Sequence, residues 1–193
     1  MRVLFATDLH GSTRVLQKAL RCSAHFEVDY FLLGGDLSGK WLLPIVRTGK
    51  DLIIFEPAEK AISMSSDGRG KLLDQTYVFR PTLARNGNVQ ENLTRLESKG
   101  YYWRFFDSEE EVYSLDPRQY DEFQRAAISE RLGRWSKMIV KGMSDGQKCF
   151  WTGGNDDEQP LLDEFRTTGD SAFNYAEGQC IRLSDDLNLL SIG

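Results

Sequence analysis

The chain is short of cysteine, of positive charge and of long apolar runs, and each shortage removes a class of protein. Cys22, Cys149 and Cys180 are odd in number, widely spaced and without a Cys-x-x-Cys pair. They therefore indicate neither a disulfide framework nor a structural zinc site, and read as buried thiols. The formal net charge is −5, so no overall positive field draws in a polyanion and non-specific nucleic-acid binding is not expected. No apolar stretch approaches the length that crosses a bilayer, and Met1-Arg2-Val3-Leu4 enters a strand pattern without a signal-peptide layout. The expectation is no membrane partner and a cytoplasmic location. Internal repeats and low-complexity tracts are also lacking.

What is present is the balance of a folding chain. The 193 residues are 40% hydrophobic, 27% charged and 11% aromatic, enough for one domain with a substantial core and too few for two full ones. Arg2–Thr7 is a short apolar run that suits a buried strand, and it ends in Asp8-Leu9-His10-Gly11-Ser12. Val15, Leu16, Ala19 and Leu20 then fall at helical spacing behind a capping hydroxyl at Ser12 or Thr13, giving a helix that ends near Phe26. Asp29–Leu33 is a second strand, closed by Gly34-Gly35-Asp36, so the three elements form a βαβ unit with parallel strands. Between residues 41 and 116 an insertion is expected, with strands at Leu52–Phe55 and Thr76–Phe79 and a polar loop at Ser63–Gly70. Tyr120, Phe123, Ala127, Leu132, Trp135, Met138 and Ile139 mark a long amphipathic helix over Pro117–Lys141. Cys149–Thr152 is a further strand, Leu161–Thr167 a helix, and Gln179–Leu183 and Leu187–Ile192 two more apolar stretches. The fold class is α/β, a mostly parallel or mixed sheet with flanking helices.

Three polar clusters stand directly after three apolar runs: Asp8-x-His10, Asp36, and Asn155-Asp156-Asp157. Loops at the carboxyl ends of parallel strands converge on one crevice, so groups distant along the chain can meet there. Asp8 and His10, two apart in an extended segment, project to one side and can ligate one ion, with Asp36 between it and a second. Carboxylate, imidazole and amide oxygen suit manganese, iron, magnesium or zinc rather than copper(I) or an iron–sulfur cluster. Each cluster alone has an ordinary reading as a turn; their order and their positions at strand ends favour a metal site.

Asp8-Leu9-His10-Gly11, Gly35-Asp36 and Gly154-Asn155-Asp156-Asp157, taken in sequence, resemble the signature of the calcineurin-like metallophosphoesterases. Gly34-Gly35-Asp36-Leu37-Ser38-Gly39-Lys40, Gly100-Tyr101-Tyr102 and the helix before Gly154 are similar to a prokaryotic branch of that family. The resemblance covers essentially the whole chain. It implies a metallophosphoesterase-type core and two divalent metal ions, manganese or iron foremost and zinc or magnesium as alternatives. Asp8 and His10 would hold the first, Asp36 would bridge, and Asn155 would bind the second. It implies hydrolysis of a small phosphate mono- or diester by a hydroxide between the ions, with Asn155 and Asp156 in the catalytic group and Lys40 and Arg14 contacting the phosphate.

Two departures from the family pattern shape the expectation. Family members often carry a histidine after the asparagine as proton donor; here it is Asp156, and an ionised carboxylate has no proton to give. The family also completes its metal shells with histidines from a second sheet, whereas the only histidines here are His10 and His25. His25, at the end of the first helix, packs or caps there. The second ion would thus be held weakly, and most of the second sheet would be missing, leaving apolar surface for a homo-oligomer or a partner to cover. The alternative function is a catalytically impaired metal- or phosphate-binding remnant of the same fold. Gly34–Lys40 also fits Gly-x4-Gly-Lys, but Trp41 stands where a nucleotide loop needs Ser or Thr, and Asp36 stands where backbone donors should cradle phosphate.

Overall fold

The computed structural model describes residues 1–58, 78–84, 88–166 and 172–191. In chain order the elements are β1 (Val3–Ala6), α1 (Thr13–His25), β2 (Tyr30–Gly34), β3 (Leu42–Thr48), β4 (Asp51–Ala58), β5 (Val78–Ala84), α2 (Val89–Ser98), β6 (Tyr102–Phe106), α3 (Glu109–Tyr113), α4 (Pro117–Gly142), β7 (Lys148–Thr152), α5 (Gln159–Arg166), β8 (Phe173–Tyr175), β9 (Cys180–Arg182) and β10 (Asn188–Leu190). They fall into two compact units. The first comprises Met1–Lys40, Glu97–Gly100 and Ile128–Gly193, the second Trp41–Leu96 and Tyr101–Ala127.

The first unit is built on a parallel sheet in the order β1-β2-β7-β8. Parallel neighbours cannot be joined by a tight turn, so α1 carries the chain from β1 to β2, and the expected βαβ unit is present. Ser12 caps α1, its hydroxyl oxygen accepting from Val15 N at 3.4 Å while donating to the Ser98 carbonyl at 2.7 Å. Leu16 is fully buried on the inner side of this helix, whereas Val15 is 42% exposed. The register Ala6↔Leu33↔Trp151↔Tyr175 puts one residue from each strand on a common face. Trp151 is the centre of that face, stacked on Phe173 at 5.6 Å and tilted against Phe165 of α5 at 4.7 Å. On the opposite face Phe5 is 61% exposed, and an apolar groove runs past Phe5, Leu32, Phe150, Leu189 and Leu190. The antiparallel hairpin β9–β10 borders it, anchored where Tyr30 Oη donates to the Leu183 carbonyl at 2.6 Å.

The second unit holds a mixed sheet in the order β5-β4-β3-β6, antiparallel except between β3 and β6. Gly49, at φ +62°, opens the two-residue turn that joins β3 to β4, a position that favours glycine. Ile45 and Leu52 pack with Leu93 of α2 in one buried cluster. Rings of the sheet meet rings of the helices at Phe55–Tyr113, Phe79–Tyr120 and Phe106–Phe123. α4 starts where Asp116 Oδ1 accepts from Arg118 N and Gln119 N, and Pro117 takes the first helical position, where a missing N–H costs nothing.

The cysteine expectation is corrected. Cys149 is fully buried, and burial pushes its thiol well above the usual range, but Cys22 and Cys180 are exposed. Cys22 sits on the outer side of α1, and Cys180 belongs to a two-stranded hairpin too small to bury both of its faces. The polar loop expected at Ser63–Gly70, and Thr76 and Tyr77 of the expected strand, lie outside the described residues. Among the described residues, no helix is long and apolar enough to cross a membrane.

Candidate metal centre

The loops that follow β1 and β2 are stitched together past the strand ends. Asp8 N donates to the Gly35 carbonyl at 3.2 Å, His10 N to that of Asp36 at 2.8 Å, and Gly11 N to that of Leu37 at 2.8 Å. This backbone ladder brings the 8–10 segment against residue 36 regardless of what the side chains do. Asp8, His10 and Asp36 each have a left-handed backbone, at φ +56°, +42° and +49°. Among the described residues only Glu27 joins them as a non-glycine in that region. The conformation costs on the order of 1 kcal/mol or more per residue, and such strain concentrates where side chains must be aimed.

The aim is convergent. Asp8, His10 and Asp36 each bring a ligand atom within 4.8 Å of the others, one side chain exposed and two half-buried. Asp8 Oδ1 lies 3.6 Å from His10 Nε2. Two donors bound at about 2.1 Å to one ion stand about 3.0 Å apart at a right angle and about 3.4 Å at the tetrahedral angle, so a small contraction closes the pair on a cation. Two carboxylates and an imidazole are the donor chemistry of a manganese, iron, magnesium or zinc site, and a divalent ion offsets the repulsion of carboxylates held this close. The residues present therefore fit a divalent metal. Among the described residues one such group occurs, and it names neither the metal nor a second ion.

The third loop, after β7, locks onto the second. Asp157 accepts from Ser38 N at 2.7 Å, Leu37 N at 3.0 Å and Gly154 N at 3.0 Å, and from the Ser38 hydroxyl. One carboxylate thus ties the Asp36 loop to the Asn155 loop. Those same amide donors would be needed to cradle a phosphate in a nucleotide loop, so the Gly34–Lys40 match is spent on internal structure. Close approach also requires glycine: a Cβ at Gly154 would overlap the Asp36 carboxylate, and one at Gly35 would stand 2.7 Å from the Gly153 carbonyl.

Asp156 donates its backbone N–H to Asp36 Oδ1 at 3.2 Å, and its carboxylate Oδ2 faces His10 Nδ1 at 3.6 Å. Asn155 is exposed, its amide nitrogen donating to Asp156 Oδ1 at 2.9 Å. Lys40 and Arg14 are exposed, the first closing the loop after Asp36 and the second in the first turn of α1. His25 is the last residue of α1, edge-on to Phe26 at 4.8 Å, which leaves His10 as the imidazole of the cluster.

Two contributors were not singled out from the sequence. Asp157 looked like one more polar loop residue, and nothing local distinguishes it from Asp156. Arg131 is buried and donates from Nη1 to the Gly11 carbonyl at 2.9 Å, holding the histidine loop from beneath. A cation three residues after Ile128 and four before Trp135, on the apolar stripe of α4, was the available signal. Known protein families, characterised proteins and solved structures include none that matches this chain significantly.

Proposed function

We propose that the chain is a metal-dependent phosphoesterase of the calcineurin-like type, acting on a small phosphate mono- or diester. One observation carries the reading: Asp8, His10 and Asp36, from two strand-end loops, converge within 4.8 Å, with the Asn155 loop tied to the same place by Asp157. In this reading Asp8, His10 and Asp36 would hold a divalent ion, and Asn155 would help to hold a second. Bound metal would supply Lewis-acid polarisation of the phosphoryl group and an acidified water. The chain's own part is positioning. The backbone ladder fixes Asp8 and His10 relative to Asp36, Asp157 fixes Asn155, and Lys40 and Arg14 supply positive charge toward the phosphate oxygens.

A second reading has its own support. His10 is the one imidazole of the cluster, a thinner donor set than the family uses, which favours a remnant that binds metal or phosphate without turnover. Hydrolysis of an aryl phosphodiester, with and without manganese, separates the two. The enzyme reading expects manganese-dependent release of the phenol, falling at least roughly a hundredfold in His10→Ala. Absence of turnover in a wild-type chain that still binds manganese would reject it in favour of the remnant.

A further inference from the structure

His10 is flanked by carboxylates on both ring nitrogens, Asp8 Oδ1 at 3.6 Å from Nε2 and Asp156 Oδ2 at 3.6 Å from Nδ1. The two positions are not equivalent. Asp8 belongs to the converging donor group with Asp36, and Nε2 is the ring nitrogen beside Asp8, which makes it the nitrogen assigned to the cation in this reading. A neutral imidazole carries one N–H, and a nitrogen that binds metal must give up its proton. Once Nε2 is engaged, the remaining proton sits on Nδ1, directed at Asp156.

We infer that Asp156 is a positioning residue for the metal centre: it accepts the Nδ1–H of His10, orients the ring and raises the donor strength of Nε2. The inference rests on the metal-site reading above and gives residue 156 a job other than leaving-group protonation. Carboxylate–imidazole–metal relays of this kind fix both tautomer and ring angle. The surroundings suit it. The Asp156 backbone is held by its N–H on Asp36 Oδ1 at 3.2 Å, and its other carboxylate oxygen accepts from Asn155 Nδ2 at 2.9 Å. The carboxylate is therefore restrained on one side and open to His10 on the other. At 3.6 Å the pair is just outside hydrogen-bond distance, and a shift of the exposed Asp156 side chain by well under 1 Å completes it.

The test uses the full chain, zinc as a diamagnetic probe, and ¹⁵N-labelled histidine, which gives two ring systems, His10 and His25, with His25 as the internal reference. Zinc titrated into wild type is expected to move the Nε2 resonance of His10 and leave Nδ1 protonated. Asp156→Ala is expected to weaken zinc binding roughly 10- to 100-fold and, without zinc, to shift the neutral ring of His10 away from the Nδ1–H tautomer. Asp156→Asn, whose amide oxygen can still accept, should recover most of both effects. Because side chain 156 is 54% exposed, the amide spectrum of the variants should stay dispersed. Wild-type zinc affinity with an unchanged tautomer in Asp156→Ala, or coordination through Nδ1, overturns this inference and leaves the metal site standing. A His10 ring unmoved by zinc in wild type overturns both.

Discussion

Asp156 and Asp157 are adjacent and chemically identical, yet the fold gives them opposite work. The carboxylate of Asp157 is half-buried and receives three backbone N–H groups and a hydroxyl. Charge-assisted bonds of this kind contribute about 1.5–3 kcal/mol each, shared and partly screened here, so their joint loss should cost about 2–4 kcal/mol. Asp157→Ala is expected to lower unfolding stability by that amount in urea, and Asp156→Ala by less than about 0.5 kcal/mol. Equal effects from the two variants would show that the clamp between the loops is not what holds them. Tyr175 shows burial and a neighbouring charge acting together. Burial first, then the hydrogen bond and charge of Glu177 at 2.7 Å, raise its phenol above the ordinary value. A raised folded value means that this contribution to stability is complete below the ordinary tyrosine range and is lost as pH climbs through the folded one.

Elements whose polarity pattern is regular were legible in the chain; those that owe their form to tertiary packing were not. β1, α1, β2, α4 and β7 lie where periodicity and capping residues put them, α4 to within a residue. β3 was missed because Pro44 interrupts its apolar run, and a proline ordinarily argues against a central strand. Here Pro44 pairs in parallel register with Arg104 of β6, and the antiparallel pairing with β4 begins one residue later, at Ile45. β6, Tyr102-Trp103-Arg104-Phe105-Phe106, lacks alternation because both faces are partly used: Trp103 packs against the cluster that contains Leu93 of α2, and Phe106 meets Phe123 of α4. The site divides the same way. The motif spacing located Asp8, His10 and Asp36, but the cross-loop contacts of Asp157, Gly154 and Arg131 exist only once three strands lie side by side. Gly154 offers a direct check, because its Cβ would collide with the Asp36 carboxylate rather than with a pliable side chain. Gly154→Ala should displace Asp36 and weaken manganese binding at least roughly tenfold. Affinity unchanged in that variant would contradict the close packing of the two loops.

Taken as a molecule, the chain puts every candidate donor in its first unit, on one end of a parallel sheet, where strand-end loops are brought together by topology rather than by sequence proximity. The second unit, with its own mixed sheet and aromatic packing, supplies none of the three converging ligands. The proposed function therefore requires one physical event, the capture of one cation by Asp8, His10 and Asp36 together. Calorimetric titration of the full chain with manganese measures it most directly, with Asp36→Ala as the comparison. Saturable binding by wild type, and at least roughly tenfold weaker binding by the variant, is the predicted result; equal binding by the two proteins, or none by wild type, would contradict it.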